Sequence, residues 1–401
     1  MRDAMKTTLR LISTAFLSLF GLSLFGASNL LGAECASYWL TNQPSLVAGQ
    51  NILFNLQQTL AGIKYNPTTG VFTVPPGVYA INFFATPSSS FENTLNLNVN
   101  GTIIPTPSLE GAMVAVQFTN SANQISVQAT GDWAPQTGDI GSFFFAYASI
   151  AIDKLQTPNI GNFACLSCDA AQTLTTGQNV LFQNEISLTG VTYNNTTGVL
   201  TLPAGTYSVS YFSNPAGNLN LVANGIIIPN SPLSGSATVL TLSNATNTLT
   251  LRAQGNLNLS SPGTGQCSAM ITVYRAAAKS EKYASFFLTT GSGGVDVNAG
   301  ENVMFNNQVA LSGIKYNNAT GLFTLPAGTY TVTYFFAPFT IPSVNMYANG
   351  KLILNSPLGG SSTVLALTEP SNTLSLQYIS TNSFSAPGAN QSWASISIVS
   401  D

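Results

Sequence analysis

GIKYNPTTGVFTVPPGVY, residues 62–79, is the stretch that decides the fold, because the chain repeats it twice with few changes. GVTYNNTTGVLTLPAGTY fills residues 190–207, and GIKYNNATGLFTLPAGTY fills residues 313–330. The starting glycines are separated by 128 and then 123 residues. A solenoid unit has about 20 to 50 residues, whereas a small domain has on the order of 100. The sequence therefore predicts three tandem copies of a whole domain, each with its own hydrophobic core.

On both sides of the repeated stretch, apolar and polar residues alternate with a period of two, which is typical of half-buried β-strands. The clearest alternations are residues 95–99, 248–251 and 394–398. Asn-Gly pairs that suit tight hairpin turns occur at Asn100, Asn224 and Asn349. No amphipathic helix is predicted after the N-terminal segment. Roughly eight to ten short strands in about 115 residues predict an all-β fold, with each copy a two-sheet β-sandwich or jelly roll.

The composition narrows the class of protein. Charged residues make up 6% of the chain and hydrophobic residues 45%, with 34 glycines and no histidine. The chain is too apolar to be disordered, and no window has the lysine and arginine density of a nucleic-acid-binding surface. The composition therefore indicates an exported β protein with a surface of amides and hydroxyls, and no nucleic-acid partner.

The N-terminal segment, residues 1–33, has the three parts of a secretory signal peptide. Lys6 and Arg10 form a basic start, residues 11–25 are apolar, and small residues at the end of the segment permit cleavage before Glu34. A retained N-terminal anchor is the alternative. We expect cleavage, a mature chain without a transmembrane segment, and a secreted or cell-surface (envelope) location.

Three further motifs recur in the same order in each copy: a Gly-x-Tyr step, an Asn-Gly turn before an Ile-rich strand, and a last strand like Ala-Ser-Ile. In the first copy they are residues 77–79, 100–105 and 148–150. In this order the chain resembles the tumour-necrosis-factor-like jelly roll shared with the globular heads of complement q. It is most similar to the C-terminal domains of bacterial collagen-like exosporium glycoproteins. The resemblance covers nearly the whole mature chain, as repeats at residues 34–155, 156–276 and 277–401.

The resemblance implies a trimeric arrangement. Members of that bacterial group usually carry one head behind a Gly-X-Y stalk and form homotrimers, whereas this chain has three heads in series and no collagen-like segment. It therefore implies an intramolecular pseudo-trimer, with the first and last strands of each head side by side and antiparallel. The links between repeats, about 11 residues each, reach roughly 35 Å when extended. That length would equally permit a string of separate heads.

Adjacent large aromatic residues recur at one place in the three repeats and predict an interface. Consecutive side chains of a strand point to opposite faces, so neighbouring rings cannot both enter one core. We expect contacts between repeats or between chains here, because exposed aromatic patches are rare on monomers. Coverage by loops of the same repeat is the alternative. The residues are Phe83, Phe84, Tyr211, Phe212, Tyr334, Phe335 and Phe336.

Four cysteines, Cys35, Cys165, Cys168 and Cys267, are candidates for structural disulfides in an exported protein. Cys165 and Cys168 have the spacing of a redox motif, but no helix follows them. Without histidine, a zinc site would need all four scattered thiols. Cys267 paired with Cys165 or Cys168 would clasp the second repeat, and Cys35 would then tie the first repeat to the second. Three pairings are possible, and the sequence does not choose among them.

Residues that could carry chemistry are sparse. The chain lacks the usual histidine base, and its acidic residues fall at different points of the three repeats. We therefore expect no catalysis, no cofactor and no metal. A glycan-binding loop at Trp133, with Asp132 and Asp139 beside it, is the candidate ligand site, because an exposed indole stacks on sugars. Trp39 and Trp393 lie on predicted strands and are expected in cores.

These observations predict a secreted or cell-surface structural protein of three heads that acts in surface assembly or adhesion. The alternative function is a lectin-like adhesin that binds a glycan or a host surface protein through its loops. The expected partner interaction is self-association, either between repeats or between chains.

Overall fold

The computed structural model describes residues 34–41, 45–85, 95–104, 106–107, 111–134, 148–155, 161–213, 219–228, 235–259, 266–275, 282–289, 295–336, 344–353, 360–384, 392 and 394–400. The predicted signal peptide lies outside them. Ala33–Asp401, which starts at the last residue of the predicted signal peptide, forms one compact unit.

All regular structure in these stretches is β-strand, which confirms the all-β prediction. The first repeat contains β1 Cys35–Leu40, β2 Leu56–Ala61, β3 Lys64–Asn66, β4 Val71–Val74, β5 Gly77–Ala85, β6 Leu95–Val99, β7 Thr102–Ile104, β8 Thr106–Pro107, β9 Gly111–Phe118, β10 Asn123–Ala129 and β11 Ala148–Lys154. No helix in the described stretches is long and apolar enough to span a membrane.

The second repeat contains β12 Phe163–Cys168, β13 Gln172–Leu174, β14 Asn184–Thr189, β15 Thr192–Asn194, β16 Val199–Leu202, β17 Gly205–Ser213, β18 Leu219–Ala223, β19 Ile226–Ile228, β20 Gly235–Leu242, β21 Asn247–Ala253, β22 Leu257–Leu259, β23 Gln266–Cys267 and β24 Ala269–Arg275. The third contains β25 Tyr283–Leu288, β26 Val295–Val297, β27 Asn307–Ser312, β28 Lys315–Asn317, β29 Leu322–Leu325, β30 Gly328–Phe336, β31 Val344–Ala348, β32 Lys351–Ile353, β33 Gly360–Leu367, β34 Asn372–Tyr378, β35 Asn382–Phe384 and β36 Ala394–Ser400.

Each repeat contributes two five-stranded antiparallel sheets, as in a β-sandwich. The inner sheet, as we name it, contains the first and last strands, in the orders β2-β1-β11-β5-β9, β14-β12-β24-β17-β20 and β27-β25-β36-β30-β33. The outer sheets have the orders β3-β4-β10-β6-β7, β15-β16-β21-β18-β19 and β28-β29-β34-β31-β32. The first and last strands of each repeat pair antiparallel, as predicted.

The repeated stretch folds the same way in all three repeats because its pattern fixes both strand faces and turns. In β4, Phe72 and Val74 are buried between the two sheets while Val71 and Thr73 are half-buried on the other face. At the predicted hairpin turns the asparagines have positive φ angles of 50 to 51° and a glycine follows each one. Two consecutive positive φ values define the tight turn that suits twisted strands. The turn prediction is therefore confirmed.

The central strands of the inner sheets are buried on both faces. Strand β5 is buried from Val78 to Ala85, and so does not show the alternation that outer strands show. One face of each inner sheet closes a hydrophobic core within its own repeat, and these cores form three separate clusters. The opposite face lies against other repeats. Continuous burial of a strand requires cover on both sides of its sheet, and here the second cover comes from neighbouring repeats.

Candidate functional site

The recurring aromatic residues divide between two environments, as strand geometry requires. Alternate members face the cores of their own repeats: Phe83, Tyr211, Tyr334 and Phe336. The intervening members face the opposite side of the inner sheet and belong to a single cluster shared by the three repeats: Phe84, Phe212 and Phe335.

These last three rings, which we name the aromatic triangle, touch one another. The ring centroids of Phe84 and Phe335 lie 5.5 Å apart, those of Phe212 and Phe335 5.4 Å, and those of Phe84 and Phe212 6.1 Å. Phe335 meets the other two rings edge-to-face, at interplanar angles of 63° and 67°, which is a favourable aromatic geometry, and Phe84 and Phe212 are tilted by 55°. Each ring is only 2% exposed. Equivalent residues of the three repeats thus converge, and each ring that points away from its own core is covered by neighbouring repeats.

Three contacts of the same kind surround the triangle. The edge strand of one inner sheet packs against the last strand of the next repeat: β9 against β24, and β20 against β36. The third repeat completes the cycle, because its edge strand β33 packs against β11 of the first. We name these contacts seam 1–2, seam 2–3 and seam 3–1. Repeats that are not consecutive in sequence therefore meet in the same way as consecutive ones.

Seam 3–1 is held by polar side chains. The hydroxyls of Ser37 and Thr363 are hydrogen-bonded at 3.2 Å. Thr59 Oγ1 donates to the carbonyl oxygen of Val364 at 2.8 Å. Thr331 Oγ1 donates to Asp153 Oδ2 at 2.8 Å, and Asp153 is only 3% exposed. A buried carboxyl group is costly unless it is hydrogen-bonded, so this contact constrains which neighbour the first repeat accepts.

Seam 1–2 mixes backbone-directed hydrogen bonds with apolar packing. Ser187 Oγ donates to the carbonyl oxygen of Ala115 at 2.5 Å, and Thr272 Oγ1 donates to that of Met113. Cys165 and Cys267 of the second repeat lie in the hydrophobic cluster of the first. Strand β23 also pairs in parallel with β8 of the first repeat.

Seam 2–3 combines a small apolar cluster with two hydroxyl pairs. Val239, Ala310 and Val399 form a small buried cluster, with the half-buried Tyr283 against it. One buried hydroxyl pair, Thr238 with Ser285 at 2.9 Å, crosses the seam, and an exposed pair, Thr241 with Tyr283 at 3.4 Å, lies at its rim. Its stability therefore rests on excluded water and packing as well as on hydrogen bonds.

Trp133 is a core residue and not a ligand platform, which corrects the sequence prediction. Its side chain is 0% exposed and belongs to the core cluster of the first repeat. Its backbone forms a two-way bridge with Leu46, at 2.9 and 2.7 Å, which holds the indole inward. Asp132, next to it, is exposed, and Asp139 lies outside the described residues. A buried indole cannot stack on a sugar. Trp39 is buried as predicted, and Trp393 lies outside the described residues.

No disulfide joins the four cysteines, all of which lie in the described stretches. The structure therefore does not contain the predicted disulfides. Cys165 and Cys168 are three residues apart on β12 and face opposite sides of its sheet, the first toward seam 1–2 and the second into its own core. Cys35 shares a strand face with Ser37, in seam 3–1, rather than facing the second repeat.

Burial favours the protonated form of the three thiols of the second repeat. Burial raises the pKa of Cys165 to about 11 and raises those of Cys168 and Cys267. The thiolate is the species that attacks disulfides and binds metal. Among the described residues no group of three or more Cys, Asp or Glu side chains is arranged to hold a metal ion.

A polar cluster ties down the start of the first repeat. Glu34 Oε2 accepts a hydrogen bond from Tyr79 Oη at 2.7 Å and lies 2.5 Å from Lys154 Nζ. Burial, followed by the bond to Glu34, raises the pKa of Tyr79. The equivalent Tyr207 and Tyr330 donate instead to backbone carbonyl oxygens at 2.9 Å. Glu34, the residue after the predicted cleavage point, is therefore part of the fold.

The sequence predicts an interface at the seven recurring aromatic residues, but only three of them face other repeats, and it does not identify the hydroxyl and carboxyl groups in the seams. Thr331, Asp153 and Thr59 look like ordinary surface residues of a β protein. A signal was present, since these positions differ in polarity between repeats that otherwise match closely: Asp153, for instance, aligns with Tyr274 and Val399. The sequence alone does not explain this difference in polarity, because its cause is the packing of one repeat against another.

No protein-family model and no curated protein matches the chain. Among solved structures, an anti-sigma factor domain-containing protein matches at 7% identity and a TM-score of 0.15, over 62% of this chain and 95% of that one. A xanthan lyase from Paenibacillus matches at 12% identity and 0.19, over 88% of this chain and 36% of the lyase. Latent PorU from Porphyromonas gingivalis matches at 10% identity and 0.16, over 92% of this chain and 32% of PorU. This chain spans about a third of the latter two proteins, and such TM-scores carry no argument about fold or activity.

Proposed function

We propose that this protein is an exported, non-catalytic structural protein of a cell surface or envelope, built of three tumour-necrosis-factor/complement-q-like jelly rolls packed as a pseudo-trimer. The observation that carries the proposal is the closed cycle of three seams around the aromatic triangle. It is the arrangement that the resemblance implies for a trimer made from one polypeptide. A string of separate heads would leave seam 3–1 unmade.

The path of the chain within each repeat supports the jelly-roll assignment. In the first repeat the chain alternates between sheets: β4 is outer, β5 inner, β6 and β7 outer, β9 inner, β10 outer and β11 inner. Repeated crossing between two antiparallel sheets, with the last strand returning beside the first, is typical of jelly rolls built from Greek keys.

The chemistry of the exposed faces supports a structural role. The outward side of the first outer sheet carries amides that hydrogen-bond one another, such as Asn98 Nδ2 to Gln128 Oε1 at 3.2 Å, and Gln128 Nε2 to the Gly49 carbonyl at 3.0 Å. With 6% charged residues and no histidine, little titrates near neutral pH. Such a head keeps its structure while the pH outside the cell changes. The burial of Trp133 leaves the lectin-like alternative without its candidate residue, so we do not propose it.

Two measurements test the proposal. On intact cells of the source organism, an antibody against residues 34–401 should label the surface, and labelling confined to the cell interior would overturn the surface role. In solution, residues 34–401 should scatter as a monomer with a radius of gyration near 21 Å, about the value for a compact chain of this length. A monomer beyond roughly 35 Å, which extended links would produce, would overturn the pseudo-trimer.

A further inference from the structure

The three seams differ in chemistry at equivalent positions, and we propose that these differences form a recognition code that fixes the order of the repeats around the cycle. The face of the first repeat that carries Asp153 fits the edge-strand face of the third, whether that third repeat belongs to the same chain or to a second copy. This inference concerns which face fits which partner and does not depend on the proposed surface role.

The first coded position is the sixth residue of the last strand. In seam 3–1 it is Asp153, which accepts a hydrogen bond from Thr331 of the third repeat. In seam 1–2 the equivalent Tyr274 shares an apolar cluster with Ala80, the residue equivalent to Thr331. In seam 2–3 it is Val399, which packs in an apolar cluster with Val239, and the residue equivalent to Thr331 is the buried Ser208. The sixth residue of the last strand is therefore a hydrogen-bonded carboxyl group in one seam, a large ring against a small side chain in the second and an aliphatic side chain in the third.

The second coded position is the third residue of the first strand, opposite the fourth residue of the neighbour's edge strand. Two seams place hydroxyls on both sides, Ser37 with Thr363 and Ser285 with Thr238. Seam 1–2 has neither hydroxyl. Cys165 and Val114 occupy the two positions there, and both lie in one hydrophobic cluster. A change on one side is matched by a change on the other.

The third coded position is the fourth residue of the second inner strand in chain order. Thr59 donates to the carbonyl oxygen of Val364, and Ser187 donates to that of Ala115. In seam 2–3 the equivalent residue is Ala310, which has no hydroxyl and packs in an apolar cluster with Val239. At this position seam 2–3 therefore has an apolar contact where the other two seams have a hydrogen bond to the backbone.

Reversing the order of repeats to 1-3-2 would break two of the three new seams. Where the third repeat met the second, Thr331 would crowd Tyr274 in place of Ala80. Where the first met the third, Val114 would leave the buried hydroxyl of Ser285 without its partner. Overpacking and unpaired buried polar groups each cost on the order of tenfold in the unfolding equilibrium constant. In the remaining seam the edge strand of the second repeat would meet the first repeat, and the hydroxyls of Thr238 and Ser37 could still pair. The preference for one order over the other therefore rests on the other two seams.

The same code opposes a cycle made of three first repeats. A cycle made of first repeats would place Asp153 against Ala80, which has no hydroxyl to donate. The buried carboxyl group would then lose its hydrogen bond from the neighbour at all three seams. Buried polar groups that specify which partners associate, rather than how tightly, are a known use of such residues.

Full-length chains with rearranged repeats test the proposal. The order 2-3-1, joined through a copy of an existing link, keeps all three seams and should remain a monomer that melts within about 5 °C of the natural chain. The order 1-3-2 should melt on the order of 10 °C lower or lose its monomeric mass. A 1-3-2 chain that equals the natural one in melting temperature and mass overturns the proposal. A 2-3-1 chain that is as impaired as the 1-3-2 chain also overturns the proposal, because the order in which links connect the repeats, rather than seam chemistry, would then determine stability.

A double-mutant cycle tests the code without rearranging the chain. Thr331→Val and Asp153→Val should each lower the denaturant midpoint, and the two together should be non-additive by at least about threefold in the unfolding equilibrium constant. Thr333→Val is the matched control, since Thr333 lies on the same strand and face but bonds Ser362 of its own repeat at 2.9 Å. It should be additive with Asp153→Val. Additivity of the Thr331 and Asp153 substitutions would overturn the proposal.

Discussion

Removing one ring of the aromatic triangle should weaken all three repeats at once. Phe335 contacts both other rings and is nearly fully buried. Phe335→Ala removes a buried ring, which costs about 3 to 5 kcal/mol in protein cores. Of that loss, about 0.5 to 1.5 kcal/mol per partner ring comes from edge-to-face contact. Because the partners belong to other repeats, the loss should also reduce the cooperativity of unfolding between repeats.

The assay is guanidinium unfolding of residues 34–401, followed by tryptophan fluorescence and by circular dichroism. The variants are Phe84→Ala, Phe335→Ala and both together. The double variant should be less destabilised than the sum of the singles by about 0.5 to 1.5 kcal/mol. Phe323→Ala provides the control, since Phe323 is fully buried but belongs to the core of the third repeat alone.

Phe84→Ala and Phe323→Ala should add to within about 0.5 kcal/mol, because they share no partner. The reasoning fails if the Phe84 and Phe335 substitutions are equally additive. It also fails if Phe335→Ala costs less than about 1 kcal/mol, since a ring that is covered by neighbouring repeats cannot be removed so cheaply.

Four further outcomes follow from the structure. Trp133→Ala should lower the free energy of unfolding by about 3 to 5 kcal/mol and leave the glycan-array signal unchanged; a lost glycan signal in a folded variant would contradict its burial. The four cysteines should resist a thiol reagent in the native protein and all react in denaturant, whereas only two reacting in denaturant would reveal a disulfide. Burial raises the pKa of Tyr38 and Tyr330 to about 12 from 10.0, so the folded state keeps protons that the unfolded state loses. Stability should therefore be full below pH 10 and fall as the pH rises toward 12, measured as unfolding midpoint against pH, and a midpoint unchanged over that range would refute the assignment. Asn82 is 1% exposed, and its side-chain amide has no hydrogen-bond partner among the described residues. Asn82→Leu should thus raise the free energy of unfolding by about 1 kcal/mol or more, and a destabilised variant would mean that the amide is satisfied.

Much of the fold could be predicted because its determinants are local and occur three times. The Asn-Gly turns need positive φ angles that few residues adopt, so Asn100 and its equivalents predict hairpins wherever they stand. The alternation around Phe72 assigns one strand face to a core. The outer aromatic rings were predictable from strand geometry, because Phe83 and Phe84 cannot share a core.

The rest depends on contacts that leave no local pattern. Trp133 stands among polar and small residues, so the sequence predicts a loop, yet a bridge to Leu46 on a distant segment turns it inward. Whether Thr331 meets solvent or a carboxyl group is decided by another repeat, 178 residues away in sequence. Cysteine pairing likewise depends on which face of β12 each thiol occupies, which becomes known only when the neighbour of that face is known.

The outer sheets of the three repeats carry different side chains at equivalent positions. On the edge strand the outward residue is the half-buried Ile103 in the first repeat, the exposed Ile227 in the second and the exposed Leu352 in the third. They stand opposite Asn98, the buried Val222 and Tyr347. A homotrimer would display any one of these edges three times and could bind a partner with avidity. This chain displays each edge once, so a partner that recognises one of them binds with a stoichiometry of one per particle. Three different partners could then occupy one particle together, each at its own fixed angular position around the cycle.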